Sequence, residues 1–367
     1  MKNFKIGLTL FVLTISSNAF SQFRKYSNEF LNIGAGARGL AMGSSQVATT
    51  NDAYAGYWNP AGLVSVINYP SLSLMHAEYF GGIGKYDFAA IALPMNDDRR
   101  TLALSILRFA VDDIPNTLFL VEPDGTVNYN NIKTFSSADY AFIFSYAQKI
   151  KDEENKKISF GANAKIVHRK VGSFAKAWGF GLDAALKMEL NRWKLGFVLR
   201  DVTTTFNAWS FSFTEKEKEV LYLTNNDIPV KSNELTAPRL IAGAAYTFPL
   251  NDKFDLTAEA NFDFTFDGQR NTLLSSKAIN IDPKFGLEAS YNKSLFLRAG
   301  ISNFQQALSD GDTLNKKKVW IYQPSFGAGF KVGNVDIDYA FTNLANQSSP
   351  LYTHIFSIRI ELQNKKK

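Results

Sequence analysis

The sequence predicts an all-β protein: a transmembrane antiparallel β-barrel of about fourteen strands behind an N-terminal plug. Three observations carry this: period-two alternation from Ser71 onward, long alternating segments, and connections that alternate short and long. In 178–190, Trp178, Phe180, Leu182, Ala184, Leu186, Met188 and Leu190 are apolar, while Gly179, Gly181, Asp183, Ala185, Lys187 and Glu189 are small or charged. In 254–267, Phe254, Leu256, Ala258, Ala260, Phe262, Phe264 and Phe266 alternate with Asp255, Thr257, Glu259, Asn261, Asp263, Thr265 and Asp267. In a strand the two sets point to opposite faces. A soluble sandwich would bury the apolar set, whereas a membrane barrel turns it to lipid and lines a wet lumen with the other.

Segment length favours the barrel, because a tilted strand needs about ten residues to cross hydrocarbon and soluble strands average five or six. Aromatics near segment ends (Trp178, Trp193, Tyr246, Phe248, Phe264, Phe266, Tyr322) fit interfacial girdles. Strands are expected near 71–79, 84–93, 100–109, 136–149, 157–169, 177–190, 193–201, 237–248, 253–267, 284–292, 294–303, 322–332, 334–342 and 353–362. Connections at 94–99, 150–156, 191–192, 249–252, 293 and 333 are short. Those at 110–135, 170–176, 202–236, 268–283, 304–321 and 343–352 are mostly longer, with 81–83 the exception. Bacterial barrels place short turns and both termini in the periplasm and long loops outside.

The totals exclude other classes. A mean hydropathy of −0.14 and the lack of any long apolar run after the N-terminus rule out helical spans. Zero Cys removes disulfides, thiolate metal sites and cysteine nucleophiles. The net charge of +6 is scattered along the chain, which does not suit nucleic acid.

Residues 1–21 read as a signal peptide: Lys2 and Lys5, an apolar run from Ile6 to Ile15, then Ala19-Phe20-Ser21 before a cleavage expected ahead of Gln22. The expected organisation is 1–21 signal, 22–70 plug, 71–362 outer-membrane barrel and 363–367 a basic periplasmic tail. The plug region does not alternate and is rich in Gly, Ala, Ser and Asn. It carries Gly34, Gly36, Arg38 and Gly43, and ends in Trp58-Asn59-Pro60-Ala61. A barrel this wide leaves an open lumen unless something fills it. Asn59-Pro60 is expected to start a turn into a short helix at 61–66. Arg38 needs a lumen carboxylate, for which Asp183, Glu259 and Asp263 are offered.

The stretch from Phe30 to Leu63 resembles the N-terminal signature of the PorV/PorQ family of Bacteroidota outer-membrane proteins. Asn59-Pro60-Ala61 also resembles the hatch of the wider FadL family of long-chain fatty acid transporters. The resemblance implies a fourteen-stranded FadL-like barrel with a hatch. It implies a role in type IX protein secretion, with the translocon or the C-terminal domains of secreted proteins as partners. The hatch residues Gly34, Gly36, Arg38, Gly43, Trp58, Asn59, Pro60 and Ala61 are then structural or gating.

No enzyme, cofactor or metal site is expected. His76, His168 and His354 are far apart in sequence, though His76 and His354 fall on the first and last strands, and no serine lies in a Gly-x-Ser-x-Gly elbow. His168 has the parity of a lipid-facing residue. Asp112-Asp113 and Asp310 with Asp312 lack the spacing of a calcium loop, and Asp336 and Asp338 share the lumen face of one strand, where polar lining is expected. In the 202–236 loop Phe206, Trp209, Phe211 and Phe213 either pack on the rim or meet a partner, and Trp320 has the same character. Three functions stand: a protein-binding barrel of type IX secretion or a related surface assembly, a FadL-like channel for hydrophobic small molecules, and a passive structural barrel. Outer-membrane lipid and lipopolysaccharide are expected partners, and a hydrophobic ligand belongs to the channel reading. That reading needs a wall opening, for which Gly161, Gly243 and Gly327 are the candidate kinks.

Overall fold

The structure is a computed structural model and describes residues 27–95, 97–122, 124–308, 318–343 and 352–363. The expected signal peptide, tail residues 364–367, and Asp310 and Asp312 lie outside the described residues.

The strands are β1 (Ser71–Tyr79), β2 (Gly84–Pro94), β3 (Arg100–Asn116), β4 (Lys133–Glu153), β5 (Lys156–Val171), β6 (Ala175–Leu190), β7 (Trp193–Arg200), β8 (Thr205–Phe211), β9 (Ser232–Thr236), β10 (Arg239–Pro249), β11 (Phe254–Thr265), β12 (Leu274–Ser275), β13 (Asn280–Tyr291), β14 (Leu295–Leu308), β15 (Lys318–Val332), β16 (Val335–Thr342) and β17 (Thr353–Glu361). Every pairing is antiparallel, and β1 closes the ring on β17 from Ser71↔Glu361 to Glu78↔His354. Fourteen strands span the wall, since β8 and β9 prolong β7 and β10 and β12 is a two-residue patch on β13. The protein is thus an outer-membrane barrel of the expected strand number.

Alternation places the residues as read. On β6, Trp178, Phe180 and Leu186 face out, while Asp183 and Lys187 are buried inside. On β11, Phe262 faces lipid while Glu259, Asn261 and Asp263 are buried inward. One girdle is Trp193, Tyr246 and Phe248, in edge contact at 4.9 and 4.5 Å between ring centroids. The opposite girdle is Tyr140, His168 and Trp178, with His168 stacked on Trp178 at 4.2 Å, so His168 does sit at the interface. The stretch of β6 from Trp178 to Leu190, at about 3.4 Å per residue and a tilt near 45°, stands roughly 29 Å tall, the height of a bilayer core.

Several strands run further than expected. β3 continues to Asn116 and β4 starts at Lys133, above the girdle, where polar side chains pair instead of meeting lipid. The 202–236 connection is only partly loop. After β7 the chain bulges through 201–204 and resumes as β8 against the upper half of β6, shifted from Ala184↔Leu199 to Phe180↔Phe206. β9 then pairs with β8 above a matching break at Ala237-Pro238, where proline has no N–H to give the ladder. Between them helix α3 (Glu215–Leu223), a label that follows α1 (Ala37–Ala41) and α2 (Ala55–Trp58) of the plug, starts in a complete capping box of Thr214 and Glu217.

The plug fills the lumen. It comprises a 3₁₀ turn at Glu29–Asn32, α1, α2, and a second 3₁₀ turn at Pro60–Ser65. The last is the short helix expected after Asn59, whose side chain caps it by accepting from the Ala61 N–H at 3.0 Å. Ala35, Ala37, Ala41, Met42, Ala48, Ala53, Ala55, Ala61 and Leu63 are completely buried. Small side chains let several short turns pack in a lumen that large ones would overfill.

Candidate functional site: hatch, vestibule and a seam in the wall

The hatch is stitched together by its own signature residues. Trp58 Nε1 donates to the Ala35 carbonyl at 2.7 Å, Tyr57 Oη donates to Leu31 at 2.7 Å, and the Gly34 N–H donates to Tyr57 Oη at 2.9 Å. Asn59 Nδ2 donates to the Val47 carbonyl at 2.9 Å. Gly36 (φ 82°) turns the chain against the Tyr54 ring, and Gly43 (φ 63°) turns it against the backbones of β13 and β14. Pro60 and Ala61 lie against β5, where Ser159 Oγ donates to the Ala61 carbonyl at 2.9 Å.

Wall glycines receive the hatch. A Cβ at Gly161 would strike the Ala61 backbone, one at Gly196 the Val47 carbonyl, and one at Gly300 the Gly43 backbone. At Gly327 it would meet the Ala41 side chain at 2.5 Å. Gly161 and Gly327 are therefore docking surfaces and not kinks. Gly243 likewise sits in an unbroken ladder, facing Asn261 and Val47. The breaks in the wall lie elsewhere.

Buried charge ties hatch to wall. Arg38 binds Glu288 through two bonds of 2.8 and 2.9 Å, and Glu288 also receives Arg298 Nε at 2.7 Å, while Arg298 reaches Asp338 at 2.6 Å. Burial opposes the Arg38 charge, but the touching Glu288 carboxylate outweighs it and holds its pKa above the ordinary arginine value. The expected partners are otherwise engaged. Asp183 binds Lys165 at 2.7 Å and Asp263 binds Lys284 at 2.8 Å, both wall to wall. Glu259 accepts from the Ala48 N–H at 2.8 Å and from Thr49 Oγ1 at 2.5 Å. Asp336 takes Arg359, so Asp336 and Asp338 are separate halves of ion pairs and not a cation cup.

The histidines do not meet. In register His76 faces Phe356 and His354 faces Glu78, with His76 Nδ1 2.7 Å from Asp87 and His354 Nδ1 2.8 Å from Tyr339 Oη. Among the described residues no group of three His, Asp or Glu could hold a metal. Asp112 pairs with Lys85 at 2.9 Å.

The aromatic residues of the 202–236 segment belong to wall and rim. Phe206 faces outward from β8, Trp209 stacks near Phe211 and covers the Arg169 guanidinium at 5.2 Å, and Phe213 stacks on Phe174 at 6.0 Å. Trp320 points outward from β15, in register with Gln306. These residues pack along strands and do not converge on one surface.

A cavity of about 400 Å³ lies above the hatch on the long-loop side. One side is apolar, formed by Ile33, Leu40, Tyr79, Phe80 and Phe109, and the other carries Arg239, Asp263, Asp282, Lys284, Ser302 and Asn303. Much of that charge is internally paired, Asp263 with Lys284 at 2.8 Å and with Arg239 at 3.7 Å. A second cavity of about 260 Å³ opens beneath the hatch near Val64, Ile67 and Lys187, and shares no lining residue with the first.

The upper cavity reaches a seam in the wall. β13 and β14 pair only from Tyr291↔Leu295 to Phe285↔Ile301. Beyond that, Asn280–Lys284 of β13 pairs only with β11 and β12, and the rest of β14 pairs only with β15. A bulge between Ser302 and Gln305, with Asn303 at φ 56°, bends β14 away. Asn271, from the connection after β11, bridges the gap by donating to the Gln306 carbonyl at 2.7 Å and accepting from its N–H at 2.9 Å. The bulge shifts the alternation by one, so that Ser302 and Gln305 both face the lumen; this parity change is the signal in the sequence, and the strand expected at 294–303 stops just short of it.

Neither a protein-family model nor a curated protein matches the chain. Solved structures do. A monoaromatic hydrocarbon channel, CymD, aligns with a TM-score of 0.55 at 13% identity, covering 90% of this chain and 98% of that one. The Ralstonia pickettii toluene transporter TbuX aligns at 0.54 and 14%, covering 90% and 99%. A Pseudomonas aeruginosa FadL homologue aligns at 0.50 and 14%, covering 90% and 98%. These likenesses overturn the PorV/PorQ resemblance and the type IX secretion role and partners drawn from it, since the end-to-end match is to FadL-type channels. The signature from Phe30 to Leu63 is accounted for by hatch packing. What the likenesses establish is a FadL-like fold, a fourteen-stranded outer-membrane barrel, which in this chain is closed around its own N-terminal hatch.

Proposed function

We propose that the protein is a passive channel for small hydrophobic molecules. The observation that carries this reading is the upper cavity, whose apolar side of Ile33, Leu40, Tyr79, Phe80 and Phe109 faces the separated strands β13 and β14. Asp263 is paired with Lys284 and Arg239, and on the apolar side an apolar guest gains by leaving water. The packed hatch disfavours a straight axial path. A guest entering from outside has the seam as its exit, into the wall and the surrounding lipid. Two of the fold neighbours are a monoaromatic hydrocarbon channel and a toluene transporter, which supports the same substrate class.

Uptake by cells lacking other porins tests it. Expression of the barrel should accelerate entry of radiolabelled toluene and leave a polar solute of equal size, such as glycerol, unchanged. Equal acceleration of both, or of neither, would reject the channel.

A further inference from the structure

We infer that the outer face of β4–β6, just above the Tyr140–His168–Trp178 girdle, is a seat for the phosphates of an outer-leaflet lipid. Lys170 of β5 and Lys176 of β6 stand directly opposite each other in register, both exposed on the lipid-facing side. Like charges in that arrangement repel across about 5 Å between Cβ atoms, an arrangement that an anion between them relieves. Neighbouring outward cations have partners: Arg108 has Asp87 at 3.0 Å and Lys85 has Asp112 at 2.9 Å. Neither Lys170 nor Lys176 has a carboxylate in salt-bridge reach among the described residues.

Position selects the anion. The pair stands one row, about 7 Å along the strand, beyond the stacked His168 and Trp178 rings, where headgroups begin and hydrocarbon ends. Beside Lys170 in the same row lies the small side chain of Ala138, while Ala110 beyond it is buried. Both ammonium groups are mobile point charges, suited to a phosphate. The occupant is therefore a phosphorylated lipid whose acyl chains lie along the apolar residues below. This surface is independent of the channel, since it faces away from the lumen.

The test is native mass spectrometry of the full barrel in detergent, titrated with diphosphoryl lipid A, with the same lipid A stripped of both phosphates, and with phosphatidylethanolamine. Diphosphoryl lipid A should bind in preference to both others, and Lys170→Ala/Lys176→Ala should weaken it about 30-fold. Lys253→Ala/Lys293→Ala, on the opposite rim, should leave it unchanged, and the heat-modifiable gel shift of all three proteins should confirm folding. Equal binding of the dephosphorylated lipid overturns the inference, as does wild-type affinity in the 170/176 variant. So does loss of a barrel dimer, with lipid binding unchanged, in that variant.

Discussion

Arg38 and Glu288 tie hatch to wall by an ion pair, both side chains largely buried and sharing two hydrogen bonds. Removing one partner strands the other charge, so Glu288→Ala is expected to cost about 3–5 kcal/mol in a reversible urea unfolding experiment. The charge swap Arg38→Glu/Glu288→Arg should recover only part of that, since Arg298 also depends on Glu288. At Gly300 the issue is space: Gly300→Val would place its side chain in the Gly43 backbone. The barrel should still assemble, with hatch amides near Gly43 and Ser45 losing hydrogen-exchange protection. Protection equal to wild type would remove the docking role from that glycine. Arg38's partner was not legible in the sequence, because Asp183, Glu259, Asp263 and Glu288 are all buried lumen carboxylates of equivalent parity. Only the fold sorts them.

At the scale of elements, alternation made the strands legible wherever one face met lipid and the other the lumen. It failed where that contrast lapses. β8 carries Phe206 and Ala208 outward but Trp209 and Phe211 on the other face, so its two sides look alike and it reads as an aromatic loop. The glycines misled for a related reason: composition shows that a strand has a small residue, not whether it bends or receives another segment. The α3 helix in this region is held by local chemistry alone. None of its residues is buried, and it depends on the Thr214–Glu217 capping box. Thr214→Ala should destabilise it by about 1 kcal/mol, seen as faster amide exchange over 215–223, and leave barrel unfolding unchanged. A concerted loss of barrel stability would mean that the helix is part of the wall's cooperative unit.

At the scale of the whole molecule, fourteen strands, a girdle at each edge and a plug that fills the lumen were legible in the sequence, because each follows from periodicity and closure. The route through the molecule was not. The proposed one depends on where two ladders stop, beside a bulge at Asn303 whose mark in the sequence is a parity change inside one strand and not a break between strands. The chain contains no cysteine, so a disulfide can be introduced cleanly. Lys284→Cys/Ser302→Cys places thiols at the first pair of positions beyond the last β13–β14 pairing, Phe285↔Ile301. The most direct measurement is toluene uptake by cells carrying this double variant, oxidised and then reduced. The expected result is uptake near background when the seam is stapled and recovery on reduction, which separates stapling from loss of the Lys284 side chain. Undiminished uptake through a fully oxidised barrel would contradict a route that leaves through this seam.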